Sequence, residues 1–169
     1  MSSSGFAERK DKALFFDSIL KGHEGIVIHL LSKNIPGISV NSMSEGGETP
    51  LTMAVREGHL GVVKILLRNG ASTEAIDRQG ETPLTWAVIF QKEDIVSVLL
   101  KNKADVNVSD LFGNTPIIKA VVRVNKRLVK ILMDAGADPH IKNKRGLNAV
   151  KIAQEFGEYK ILKLLLKKN

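Results

Sequence analysis

The sequence contains no cysteine, so it forms neither disulfides nor cysteine-ligated zinc sites. Aromatic side chains are scarce, with one tryptophan, one tyrosine and six phenylalanines among 169 residues. Proteins that hold single-stranded nucleic acid do so largely on aromatic platforms, and this chain has little material for them. Its apolar runs fall well short of the roughly 20 residues that a bilayer requires. No secretory leader pattern follows the polar start Met1-Ser2-Ser3-Ser4-Gly5. These absences point to the cytoplasm, with the nucleus also open to the chain. Acidic residues are outnumbered, 18 against 25 lysines and arginines, leaving a net charge of +7.

The residue patterns that carry chemistry are equally thin. His23, His29, His59 and His140 show no i, i+4 spacing and no zinc-ligand cluster with nearby acids. Gly58-His59-Leu60-Gly61 lacks the glycine pattern and lysine of a phosphate loop. Asp134 and Asp138 flank Ala135-Gly136-Ala137, a helix end rather than a cleft for acid–base work. We therefore expect no enzyme, no catalytic residue, no metal site and no cofactor.

What the chain does have is repetition. Gly47-Glu48-Thr49-Pro50-Leu51 recurs 33 residues on as Gly80-Glu81-Thr82-Pro83-Leu84, and again as Gly113-Asn114-Thr115-Pro116-Ile117. Ala54, Ala87 and Ala120 keep the register, as do Val63, Val96 and Val129, and Leu66, Leu99 and Leu132. A fixed period of this length means one supersecondary unit stacked on its copies, since a single unit cannot bury its own apolar face. Within one copy, Thr82 suits a helix N-cap and Pro83 the first helical position. Leu84, Ala87 and Val88 give that short helix one apolar stripe. A second helix is predicted from about Glu93 to Lys101, apolar on several sides as a helix between neighbours must be. Gly80, Gly113 and Gly146 fall where the connecting turn demands a positive φ.

The repeated residues resemble those of the ankyrin repeat, from about Ala13 to the last residue. The resemblance implies an all-α solenoid of stacked helix-turn-helix units joined by hairpin loops. The register divides the chain into a tail (1–12, disordered or frayed), a degenerate N-terminal cap (13–46), three repeats (47–79, 80–112, 113–145) and a truncated C-terminal cap (146–169). The histidine usual after Thr-Pro-Leu is replaced by Thr52, Thr85 and Ile118, which removes its link to the threonine. The usual Gly-His before the second helix becomes Gln91-Lys92 and Val124-Asn125, changes expected to weaken single repeats. Asn34 to Ser39 carries a three-residue insertion, expected as a bulged loop. His23 and His59 are read as structural residues at the helix start or between repeats.

The family's partners dock on a concave face of hairpin tips and first helices. Mapped onto this sequence, the variable positions at mid-stack are apolar where a solvated surface calls for polar residues: Ile76, Ile89, Phe90, Leu111, Phe112 and Val122. One or two of them, Ile89 or Val122, could instead tuck under a neighbouring hairpin. The larger set forms an exposed patch with aromatic anchors of the kind that dominate interface energy. Arg78, Arg123, Lys144 and Arg145 add positive charge, while Glu45, Glu48 and Glu57 lie at the other end. The expected partner is another protein, a segment with apolar anchors and acidic residues. The chain is expected to be a monomeric, non-catalytic adaptor, scaffold or inhibitor.

Two alternatives stand beside this reading. The net charge suggests a basic surface for nucleic acid or an anionic membrane, although Lys160, Lys163, Lys167 and Lys168 on the last helix suit an outer cap and the helix dipole. A secreted effector of an intracellular microbe, binding a host protein, is the other. Leu99, Asp105, Val106 and Asn107 also resemble a motif at which ankyrin asparagines are hydroxylated in animal cells, so Asn107 is a candidate modification site. Its simpler role is to brace a turn through side-chain to backbone bonds.

Overall fold

The computed structural model describes residues 3–33 and 35–167, which form ten helices and no strand among the described residues. They are α1 (Ser3–Leu20), α2 (Glu24–Ser32), α3 (Pro50–Glu57), α4 (Leu60–Arg68), α5 (Pro83–Ile89), α6 (Glu93–Lys101), α7 (Pro116–Val122), α8 (Lys126–Asp134), α9 (Ala149–Glu155) and α10 (Tyr159–Leu165). Consecutive helices pair as hairpins. Odd-numbered helices also pack on one another in a row, as do even-numbered ones, giving two layers. The repeat fold is thus all-α, with α6 spanning the residues that periodicity assigns to it.

The first two full repeats start in the same way. Thr49 and Thr82 sit in extended backbone before a proline, and each hydroxyl accepts the N–H of the residue three along, both at 3.3 Å. The apolar stripe then enters the space between layers. Leu84, Ala87, Val88, Val96 and Leu99 are wholly buried, and their counterparts Ile117, Ala120, Val121, Val129 and Leu132 are equally so. Each large aliphatic among them contributes about 1.5–3 kcal/mol by leaving water.

Long connections end in hairpin turns. Asp77 Oδ1 accepts the N–H groups of Gln79 and Glu81 at 2.8 and 2.9 Å, and the turn closes from Gly80 N–H to the Asp77 carbonyl. Asp110 and Asn143 repeat this brace one period on. Gly113 has φ +79°, and a Cβ there would lie 3.0 Å from Asn143 Cα and Lys144 N, so both conformation and space require glycine. Neighbouring tips are tied by Leu111 N–H to the Gln79 carbonyl and Lys144 N–H to the Phe112 carbonyl, at 3.3 and 2.9 Å.

Three expectations need correction. The tail assigned to residues 1–12 is helical from Ser3 onward, continuous with the cap helix; Glu8, Arg9, Lys10 and Lys12 are residues that lose little on entering a helix. The threonine link is not lost with the histidine in the first two repeats. Thr52 Oγ1 lies 3.0 Å from Thr49 Oγ1, and Thr85 Oγ1 donates to the Thr82 carbonyl at 2.7 Å while lying 3.4 Å from Thr82 Oγ1. Only Ile118 breaks it, leaving the buried Thr115 hydroxyl without a partner. Third, the negative charge expected at the N-terminal end of the face is partly spent, because Glu48 pairs with Arg56.

Of the insertion, Asn34 lies outside the described residues. The rest makes two tight turns, Ile38 N–H to the Ile35 carbonyl and Ser42 N–H to the Ser39 carbonyl, with Ile35, Ile38 and Val40 packed on the core. His59 Nε2 lies 2.8 Å from the Leu20 carbonyl and so bridges the cap to the next repeat, while His23 is exposed.

Candidate functional site: the face of hairpin tips and first helices

At the centre of this face stands an aromatic stack that sequence reasoning missed. Trp86 on α5 lies one turn before Phe90, the residue at the C-terminal cap of that helix, and their rings stack at 5.5 Å with 17° between planes. The indole Nε1 donates to Asp77 Oδ2 at 2.8 Å, which fixes the ring against its own hairpin. The Arg56 guanidinium, from the preceding repeat, sits 5.0 Å from the indole ring centroid and is itself held by Glu48. Trp86 is half-buried, whereas Phe90 is 43% exposed, so the tryptophan supports and the phenylalanine presents. A hollow of about 290 Å³ beside the stack is lined by Glu48, Arg56, Asp77, Arg78 and Trp86 among others. The signal was available: at the register position where Met53, Lys119 and Ile152 stand, the chain places its one tryptophan.

One repeat further, the same register position holds Lys119, whose ammonium reaches Glu81 Oε1 at 2.6 Å and Asp110 Oδ2 at 2.8 Å. All three side chains are largely buried. Burial alone would raise the Asp110 pKa; the Lys119 hydrogen bond, the Asn114 N–H and side chain, and the Lys119 charge together hold it below its ordinary value. This triad ties two hairpins and a helix together, and it carries two carboxylates for one cation.

The predicted residues fall around these two clusters. Ile76, Leu111 and Phe112 are exposed at 59%, 56% and 68%, and Val122 is exposed as well. Ile89 alone of the apolar set withdraws, to half-buried, and its carbonyl accepts Arg123 Nε at 2.9 Å. Arg123 is thereby set beside the aromatic stack. Leu111 packs over Gly80, and Phe112 and Lys144 meet through the backbone bond already described. Arg78 and Arg145 are exposed on their hairpins. The structure thus forms two groups, one at the C-terminal ends of α5 and α7 (Ile89, Phe90, Arg123) and one at the tips (Leu111, Phe112, Lys144), with Ile76 on the arm ahead of Asp77.

Asn107 sits off this face. Its Oδ1 accepts the Asp138 N–H at 2.8 Å, as Asn41 Oδ1 accepts Ser72 N–H and Glu74 Oε1 accepts Asp105 N–H. The asparagine braces the next repeat rather than its own turn. Asp134 pairs with Lys130, and Asp138 Oδ1 accepts the His140 N–H. Among the described residues no group of His, Asp and Glu is arranged to hold a metal ion, and no helix is long and apolar enough to cross a membrane.

Comparison with known families agrees with this architecture. A family model described as ankyrin repeats in three copies matches residues 14–110, and one described as ankyrin repeats in many copies matches 99–153. The chain belongs to the ankyrin-repeat family, whose members are generally protein–protein interaction modules and typically non-catalytic. No curated protein matches the chain.

Proposed function

We propose that the chain is a monomeric adaptor, scaffold or inhibitor that docks a segment of a partner protein across its hairpin tips and first helices. The observation that carries this reading is Phe90, half out of solvent on a tryptophan held from two other sides, with Phe112 and Leu111 exposed at the adjacent tips. A ring already fixed by its neighbours loses little freedom on binding, which makes it an efficient anchor. Arg78, Arg123, Lys144 and Arg145 supply positive charge around it, so the favoured segment carries apolar anchors and acidic residues.

Peptide-display selection on the immobilised chain tests this. Peptides so enriched bind the Phe90→Ala/Phe112→Ala variant at least tenfold more weakly, as expected for anchors worth about 2 kcal/mol or more. The melting temperature changes little, since both rings are substantially exposed. Peptides that bind wild type and variant alike would place the docking surface elsewhere. A large drop in melting temperature would make the two rings core residues.

A further inference from the structure

The layer of second helices carries its charge unevenly. α4 holds Lys64 and Arg68 and no carboxylate, and α6 ends on Lys101. Between these helices runs a groove of about 370 Å³, lined by Lys64, Leu67, Arg68, Val98, Lys101 and Asn102. Leu67 and Val98 are half-buried, whereas the three cations are exposed and have no ionic partner among the described residues. No carboxylate lines the groove. The acids that follow it in the chain, Glu74 and Asp105, are engaged elsewhere: Glu74 Oε1 accepts the Asp105 N–H at 3.1 Å, and Asp105 Oδ1 accepts the Asn107 N–H at 2.9 Å.

A cation in the last turn of a helix is ordinarily explained by the negative end of the dipole. That explanation fails one repeat on. At the register position of Arg68 and Lys101 stands Asp134, and it pairs with Lys130, the counterpart of Lys64. α8 has no basic residue in its last turn, so the fold does not demand one there. Lys103 points the same way. It holds left-handed backbone at φ +65°, where the neighbouring copies have Gly70 at +84° and Gly136 at +88°. A side chain is strained in that conformation, and strained residues gather at functional positions. Here the strained residue is a fourth exposed cation, two along from Lys101.

We infer that this groove binds a ligand with closely spaced phosphates, as a free polyphosphate or a lipid headgroup presents them. One phosphate carries about −1.5 to −2, so two of them match the charge of Lys64, Arg68, Lys101 and Lys103. Lys64 and Arg68 lie one turn apart on α4, about 5–6 Å between Cβ atoms. α6 packs on α4 at the usual interaxial distance of about 8–10 Å, a span that long side chains close around neighbouring phosphates. Arg68 offers a fork of N–H donors to phosphate oxygens, and the lysines offer compact charges. A peptide of equal charge needs several carboxylates, each on its own residue, which a groove of about 370 Å³ does not hold. Leu67 and Val98 meet the uncharged part of the ligand. The site lies in the layer of second helices, whereas Phe90 ends a first helix and Phe112 stands at a tip, so the site and the proposed partner face can fail separately.

Sodium tripolyphosphate is the soluble probe, and phosphatidylcholine vesicles containing phosphatidylinositol bisphosphate are the membrane probe. On the full chain tripolyphosphate should shift the Leu67 and Val98 methyl resonances and leave those of Ile76 and Val122 in place. Arg68→Asp/Lys101→Asp, which copies the arrangement at Asp134, should bind roughly tenfold more weakly and fold as the native chain does, both side chains being exposed. Lys160→Glu/Lys163→Glu makes the same change of net charge on α10 and should keep most of the affinity. Lys103→Gly should weaken binding about threefold without lowering the melting temperature, a pairing that a packing role does not give. Phe90→Ala/Phe112→Ala should bind both probes as wild type does. Vesicle capture that tripolyphosphate competes away assigns the phosphates to a lipid headgroup; tripolyphosphate binding without capture assigns them to a soluble ligand, and either result supports the site. Equal losses in the α10 variant, or no shift at Leu67 and Val98, would overturn it. So would equal capture by phosphatidylserine vesicles of the same charge, or tighter binding of polyglutamate, which would give the surface to bare charge or to an acidic protein.

Discussion

The repeats 80–112 and 113–145 occupy the same place in the stack, with a neighbour on each side, and solve the same three problems differently. At the helix start, Thr82 caps Thr85 N–H and is answered by the Thr85 hydroxyl, whereas Thr115 faces Ile118 and has no partner. At the centre of the first helix one has Trp86 in an aromatic stack and the other Lys119 in a buried ion triad. At the end of that helix both have a side chain in left-handed backbone, Gln91 at φ +55° and Val124 at +54°, where the preceding repeat has Gly58. The second problem shows the trade most clearly. A tryptophan adds area and a presentable neighbour; a buried lysine must be matched atom by atom, but it locks two hairpins into one register. The repeat 113–145 is therefore locally weaker and more strongly tied to the repeat before it.

Removing the tie gives the largest effect. Lys119→Met places in this repeat the residue found at Met53, so the shape is acceptable, but it leaves the Glu81 and Asp110 carboxylates buried without their cation. We expect a loss of about 3–5 kcal/mol by urea unfolding. Trp86→Met, which sacrifices the stack and the Asp77 bond, should cost less, about 1–3 kcal/mol. The reverse order would mean that water already screens the triad. Adding Glu81→Gln and Asp110→Asn to Lys119→Met should recover most of the loss, because no charge then remains unpaired.

Acid should act on the same tie. Asp110 has a folded-state pKa below the unfolded value of about 3.8, so its contribution is complete above that value and disappears as pH falls through the lower one. The unfolding midpoint of the native chain should therefore drop below about pH 4. In Asp110→Asn that limb shrinks, while the hairpin brace survives because an asparagine, Asn143, makes the same bonds one repeat later. The variant should cost about 1–3 kcal/mol at neutral pH. A limb of the same depth in Asp110→Asn would assign the acid sensitivity to other carboxylates.

The threonines sharpen the comparison on a smaller scale. Thr82→Val removes an N-cap and should cost about 0.5–2 kcal/mol. Thr115→Val removes a buried hydroxyl that has no partner, and should be neutral or slightly stabilising. Equal losses in thermal melts would show that Thr115 finds a partner in solution.

How much of this could be read in the sequence depended on whether the relevant signal was periodic. The apolar register, the Thr-Pro helix starts and the tip glycines repeat every 33 residues, and each follows from a local backbone or burial demand that acts identically in every copy. Of the two residues that the sequence allowed to tuck away, Ile89 is half-buried and Val122 is exposed. What escaped was what happens once. Trp86 was counted as a scarce aromatic rather than placed in its column, Lys119 was not singled out at all, and the length of α1 has no counterpart to align with. The column of Trp86 could have been read from the register, but the partners of Trp86 and Lys119 become visible only when contacts between copies are known, since Arg56 and Glu81 reach them from neighbouring repeats.

The helix ends supply the finest test. Val124 is β-branched, and in left-handed backbone its Cβ crowds the flanking peptide, at a cost of roughly 1–2 kcal/mol relative to glycine in that conformation. Its side chain is 46% exposed, so little burial is lost with it. Glycine, however, gains freedom in the unfolded chain, which offsets roughly 0.5–1 kcal/mol. Val124→Gly should therefore stabilise the protein by about 0.5–1 kcal/mol, and Gln91→Gly by less, because an unbranched side chain suffers less at the same φ. In the repeat 47–79 the opposite substitution, Gly58→Val, should destabilise, since at φ +83° a branched side chain is strained. Thermal melts of the three variants give the ranking directly. If Val124→Gly melts no higher than the native chain, the valine side chain contributes packing that balances the strain, and the repeat 113–145 is not the locally weaker one at this position.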